Sequence, residues 1–213
     1  IKQPNEWRTN LEKTFNIEHF IKWLAVNNTI VNWDTYGALP HNFYLYNSPT
    51  QKLTWIPWDH DLSLGVKMEM MGGPMGGMKP PMGGGTSPEG FKMPESFKPP
   101  MGGGMPPFGK GIELSLKGVN KNWILIKAVA DDEVYYAKYK QFVKDFAENI
   151  FTSAKMNNLF EQNQALITPF VIGKTKEEKL YSHLKNSEDF TKELGVLKAH
   201  VISRNEAVEI FLK

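Results

Sequence analysis

The chain has 213 residues, 41% hydrophobic and 12% aromatic, enough to bury one sizeable core. Its formal net charge is +2, with 23 lysines and two arginines interspersed among 23 acids; no basic patch with interleaved aromatics argues for nucleic acid. It has no cysteine, which excludes disulfides and thiol chemistry. No apolar run approaches the roughly 18 residues of a membrane span.

Neither a His/Cys metal spacing nor a serine-hydrolase elbow is present. No signal peptide is visible, but the chain opens at Ile1-Lys-Gln-Pro4, as if in mid-protein.

Taken in chain order, the first clear element is a helix. Asn16 is a good N-cap, and Ile17, Phe20, Ile21, Leu24 and Ala25 follow at helical spacing to make one apolar stripe. Asn27-Asn28-Thr29 is expected to end it, which leaves Asp34 in a loop just after a packed helix. Two aromatic and β-branched runs follow, Phe43–Tyr46 and Leu53–Trp58, joined across Asn47–Gln51 as a hairpin. Pro57 cannot donate to a ladder, so the second strand ends there or lies at an edge. Asp59 then emerges at a strand terminus, with Asp61 two residues on.

Asp34 and Asp59 are 25 residues apart, yet a short hairpin brings its two ends close in space. Two carboxylates so placed, with the amide of Asn42 between them, suit one job. One accepts a hydroxyl proton while the other holds a divalent metal against a phosphate. Asp59-x-Asp61 can point two carboxylates at one cation only if the backbone turns there. His41 and His60 flank the acids, and polar loop residues are the plainer account of both. Trp33, Trp55 and Trp58 read as core packing.

Residues 68–110 differ in composition from the rest. They hold nine of the ten methionines, 12 of the 18 glycines and nine of the 14 prolines. Such a segment cannot bury enough surface to offset its ordering entropy, so it reads as a flexible loop. Its thioethers are soft ligands, and Cu(I) binding by this loop is a separate possibility. Lys67, Lys79, Lys92, Lys98 and Lys110 make it mildly basic, which would help recruit an acidic partner.

Beyond it the chain turns helical. Helices are expected over Asn122–Ala130, Asp132–Ile150, Thr152–Ile167 and Ser187–Phe211, the third ending before Pro169. Val134, Tyr135, Tyr139, Phe142, Val143 and Phe146 would line the packed side of the second.

A helix, an acid loop, a hairpin and a second acid loop, in that order, are found in the C-terminal lobe of protein kinases. The strings Asn32-Trp-Asp-Thr-Tyr-Gly37, His41-Asn-Phe-Tyr-Leu-Tyr46 and Trp55-Ile-Pro-Trp-Asp-His-Asp-Leu62 resemble the core of the CotH family, atypical kinases named for a spore-coat protein. Ala128-Val-Ala-Asp-Asp132, with Tyr135 and Tyr139 beyond it, is similar to that family's helical part. The likeness covers roughly residues 5–66 and 112–212.

The resemblance implies an ATP-dependent protein Ser/Thr kinase using Mg²⁺ or Mn²⁺, with a Ser/Thr-bearing protein as substrate. It makes Asp34 the catalytic acid and Asp59 a metal ligand, with Asn42 and Asp61 as further candidate ligands. Asn42 lies eight residues after Asp34, where typical kinases leave about five. The expected fold is α+β: a mostly helical kinase-like C-lobe with the hairpin at the cleft, and no N-terminal lobe within this chain. It would divide into residues 1–66, an insert over 67–111, and a helical remainder over 112–213. The reading therefore expects the C-terminal portion of a longer kinase, from a cell envelope, a spore coat or a secreted protein. The insert would leave the cleft where kinases begin their activation segment. The alternative is a catalytically incomplete adhesion or assembly module.

Overall fold

The computed structural model describes residues 3–50, 52–66, 111–174, 184 and 186–213. The Met/Gly/Pro segment, with its flexible-loop and copper readings, lies outside them. A first helix, α1 (Pro4–Thr14), goes unannounced in the sequence, because Trp7 and Leu11 are its only inward apolar residues. It is pinned by Trp7 against Tyr135, with ring centroids 5.8 Å apart, and by an Arg8–Asp132 ion pair at 2.6 Å.

Helix α2 (Ile17–Ile30) is capped as expected, the Asn16 side chain accepting from the His19 amide at 3.3 Å. Its whole predicted stripe is buried. It does not stop at Asn27–Thr29, however, and these three polar residues are buried in its last turn. Their side chains find partners there. Thr29 Oγ1 donates to the Ala25 carbonyl at 2.8 Å, Asn28 Nδ2 to the Tyr139 hydroxyl at 3.1 Å, and Asn27 Nδ2 to the Asn32 carbonyl at 3.2 Å. Residues that compete with a helix when alone extend it once the fold supplies those partners. Val31, left-handed at φ 59°, ends the helix.

Strands β1 (Phe43–Ser48) and β2 (Lys52–Pro57) form the antiparallel hairpin, in a register that sets Phe43 opposite Pro57 and Leu45 opposite Trp55. The inner face carries Phe43 and Trp55, stacked at 4.2 Å, and Trp55 continues into Phe20, Trp23 and Tyr36. Trp33 and Trp55 are core residues, as expected. Trp58 is not: it is 45% exposed and stacks on Tyr44 of the outer face. The pleat explains this, since a residue three beyond Trp55 points the other way. Tyr44, Tyr46, Ile56 and Trp58 make that outer face aromatic and solvent-facing.

Helices α3 (Ile124–Asp131), α4 (Glu133–Asn149), α5 (Ser153–Val171) and α6 (Ser187–Leu212) complete the described chain. Asp132 caps α4 by accepting from the Val134 and Tyr135 amides. Tyr135, Tyr139, Val143 and Ala147 recur every fourth residue along its buried side, against α2. Val134 falls out of phase with that stripe and is exposed. Helix α5 runs through Pro169 instead of stopping before it. The proline sits in the last turn, and the Ile172 and Gly173 amides still close onto the Thr168 carbonyl, so little bonding is lost.

The described residues thus form an α+β fold whose main core joins the hairpin, α2 and α4, with a smaller cluster around Phe151, Phe160 and Val201. Gly37 locks the acid loop onto this core. Its φ of +114° suits glycine, and a Cβ there would collide with the Ile112 side chain.

Candidate functional site

The Asp34 loop is set by the end of α2. Asn32, 3% exposed, accepts the Asp34 amide on Oδ1 at 3.1 Å. The carboxylate is then held from two sides. His41 Nε2 meets Oδ1 at 2.9 Å, and Asn42 Nδ2 donates to Oδ2 at 3.0 Å and to the Asp34 carbonyl at 2.8 Å. Asn42 is buried and left-handed at φ 60°, a conformation Asn tolerates better than most residues. Its own carbonyl accepts the Trp58 amide at 3.2 Å, so Asp59 follows directly from that contact. Both acid loops therefore leave the open end of the hairpin, away from its turn.

Asp59 is itself left-handed, at φ 56°, and Ser63 Oγ closes the following turn onto the His60 carbonyl at 2.6 Å. This is the backbone turn that a two-carboxylate site requires. Partial desolvation, then a hydrogen bond and the charge of Asp59, hold the Asp61 carboxyl above its ordinary range. The second loop is fastened to the first: the Leu64 amide donates to the Ile30 carbonyl at 2.9 Å, and Trp33 Nε1 to the Val66 carbonyl at 3.3 Å.

The structure thus groups the four candidates as two pairs, Asp34 with Asn42 and Asp59 with Asp61, linked through the Asn42 backbone. Asn42 turns its amide nitrogen to Asp34, which leaves its oxygen as the atom able to meet a cation. His41, passed over in the sequence as polar filler, directly contacts Asp34. Two further residues are invisible to sequence reasoning. Arg204 of α6 donates from Nε and Nη2 to the carbonyls of Thr29 and Asn28, each at 3.0 Å, and His200 packs against Gly65. Both lie well over a hundred residues from the acid motifs, and nothing in the spacing marks them.

Does this donor set fit a metal? Among the described residues, no group of three or more His, Cys, Asp or Glu side chains is placed to hold an ion. Asp59 and Asp61 supply two adjacent hard-oxygen groups whose mutual repulsion a cation would relieve. Magnesium keeps several waters and shares its sphere with phosphate, so one or two carboxylates suffice. The set fits a nucleotide-dependent Mg²⁺ or Mn²⁺ site and falls short of a freestanding metal cage.

Fold and site together define an α+β protein with two acid loops at the mouth of a hairpin, one holding an amide-fixed carboxylate and the other a carboxylate pair. The CotH kinase protein family model matches residues 2–208, nearly the whole chain, and the protein belongs to the CotH kinase family. No curated protein matches it. Among the described residues, no helix is long and apolar enough to cross a membrane.

Proposed function

We propose that the chain carries the metal-binding and acid–base half of an ATP-dependent protein Ser/Thr kinase site, in a kinase-like C-lobe. The observation that best supports this is the division of labour at the hairpin mouth. Asp34 is held by two donors and kept 14% exposed, whereas Asp59 and Asp61 form an exposed, mutually repelling pair. The first suits a positioned base and the second a cation ligand.

ATP would supply the phosphoryl group transferred, and the divalent ion would neutralise charge on its phosphates. Asp34 would orient a Ser or Thr hydroxyl and accept its proton as the oxygen attacks the γ-phosphorus, the bond to the β-phosphate oxygen breaks and ADP leaves. Asn42 fixes the Asp34 rotamer and offers its amide oxygen to the cation. Asp59 and Asp61 hold that cation one loop away. The exposed Tyr44–Trp58 stack lies on the outer face of the same hairpin.

The test is phosphate transfer from ATP, with Mg²⁺ or Mn²⁺, to a pool of Ser- and Thr-containing peptides, followed by mass spectrometry. Metal-dependent incorporation lost in Asp59→Ala is the expected result; none in the wild type under either metal overturns the reading. A second reading, a non-catalytic assembly module, rests on the same exposed aromatic face. It predicts partner binding that is indifferent to Asp34→Asn and needs no nucleotide.

A further inference from the structure

The two acid loops share one anchor, the Ile30 carbonyl at the end of α2. The Leu64 amide of the second loop donates to it at 2.9 Å, and the chain runs on from it into the Asp34 loop. His200, on α6, has its Nε2 buried without a partner. The ring also lies on the metal loop: a Cβ built at Gly65, whose φ is +87°, would stand 3.0 Å from Nδ1. One helical turn further along α6, Arg204 forks onto the carbonyls of Asn28 and Thr29. These belong to the last turn of α2, from which the Asp34 loop departs. Spacing of i and i+4 places His200 and Arg204 on one face of α6. That face reaches the base of the Asp34 loop with Arg204 and the second loop with His200.

We propose that His200 and Arg204 are positioning residues for phosphoryl transfer, bracing the Asp34 loop and the Asp59–Asp61 loop into one unit from one face of α6. The inference rests on the kinase reading above. Neither residue touches substrate or metal. Their work is to keep the base and the cation in register, beside the Leu64–Ile30 and Trp33–Val66 hydrogen bonds that also join the two loops. Arginine suits the lower position because its planar fork satisfies two carbonyls at once, which a lysine cannot do in that geometry. Glycine suits position 65 because its φ of +87° would strain a side chain, and a Cβ there would also crowd the imidazole. A misplacement of about 1 Å in a reacting group costs on the order of a hundredfold in rate, so a clamp far from the chemistry has kinetic leverage.

The experiment uses the protein carrying this chain and four variants: His200→Leu, His200→Asn, Arg204→Met and Val208→Ala. The last loosens the buried side of α6 without touching either loop. With ATP, Mg²⁺ and the peptide pool, His200→Leu and Arg204→Met should lower kcat by about 10- to 100-fold. The KM for ATP should change by less than about threefold, since the lost interaction is one of register and not of binding. His200→Asn keeps a planar polar group against Gly65 and should recover most of the loss. Val208→Ala should lower the melting temperature with kcat unchanged. Independently of activity, exchange of the Leu64 amide should accelerate about tenfold in His200→Leu, because its bond to Ile30 opens more often.

If His200→Leu loses no more kcat than Val208→Ala at a similar drop in melting temperature, or Leu64 exchange is unchanged, the clamp is wrong while the kinase reading stands. A wild type that transfers no phosphate removes the kinase reading, and the proposal with it.

Discussion

Asn42 Nδ2 donates to both the carboxylate and the main-chain carbonyl of Asp34, at 3.0 and 2.8 Å. One buried amide therefore fixes the rotamer and the backbone of the acid together. Asn42→Asp would set a second carboxylate against the first inside a 4%-exposed site. Leaving such a group repelled and unsatisfied costs roughly 1–3 kcal/mol. Urea denaturation should show that loss at pH 7 and less of it near pH 4, where protonation relieves the repulsion. Equal stability at pH 7 would contradict the contact.

Asp34→Asn keeps the shape of the side chain and an oxygen for one of its two donors, but removes the base. Positioned acid–base catalysis is worth roughly 10²–10⁴-fold, so phosphoryl transfer should fall by more than about a hundredfold. Nucleotide and metal affinity, followed by calorimetry, should hold. Loss of nucleotide binding in proportion to turnover would mean that the roles of Asp34 and Asp59 are reversed.

The Asp59–Asp61 pair predicts a metal effect with a definite pH sense. The Asp61 carboxyl titrates above its unfolded value. Its protonated form is thus favoured in the fold, and that advantage is lost as pH rises through the folded pKa. Mg²⁺ or Mn²⁺ with an ATP analogue should therefore raise the melting temperature more at pH 7 than near pH 4. Asp59→Ala should remove the increment at both. An unchanged increment in that variant would move the metal elsewhere.

His200 predicts the opposite kind of pH dependence. Burial, and then the charge of Arg204, hold its imidazole below the ordinary 6.5. The unfolded chain takes up its proton first as pH falls. The neutral imidazole's contribution is thus complete above about 6.5 and is lost as pH drops towards the lower folded value. Melting temperatures measured across that window should fall more steeply in the wild type than in His200→Asn. Parallel curves would show that His200 is not the group responsible.

Much of this site was legible because its grammar is local. The Asn16 cap, the stripe of α2, the hairpin itself and the strand end at Pro57 each depend on neighbours a few residues away, and the structure bears them out, with Asn47 and Ser48 paired in β1 where the sequence suggested the connection. The outward turn of Trp58 was legible too, had its spacing from Trp55 been counted along the pleat. The burial of Asn27, Asn28 and Thr29 was not, because it depends on Tyr139 and Arg204, more than a hundred residues away.

The sequence by itself singled out the residues proposed to carry chemistry, the acids at 34, 59 and 61 and the amide at 42, and the elements that deliver them to loops. Periodicity and turn composition suffice for that, since helices and hairpins are stabilised over short stretches of chain. The tertiary structure alone decided how those groups are paired. Asn42 faces Asp34, His41 joins them, Asp59 leans on Asp61, and α6 returns to set Arg204 on the end of α2 and His200 against Gly65. Such contacts arise when distant segments close around a shared core. No local pattern encodes them, because the free energy that holds each one comes from burying everything else.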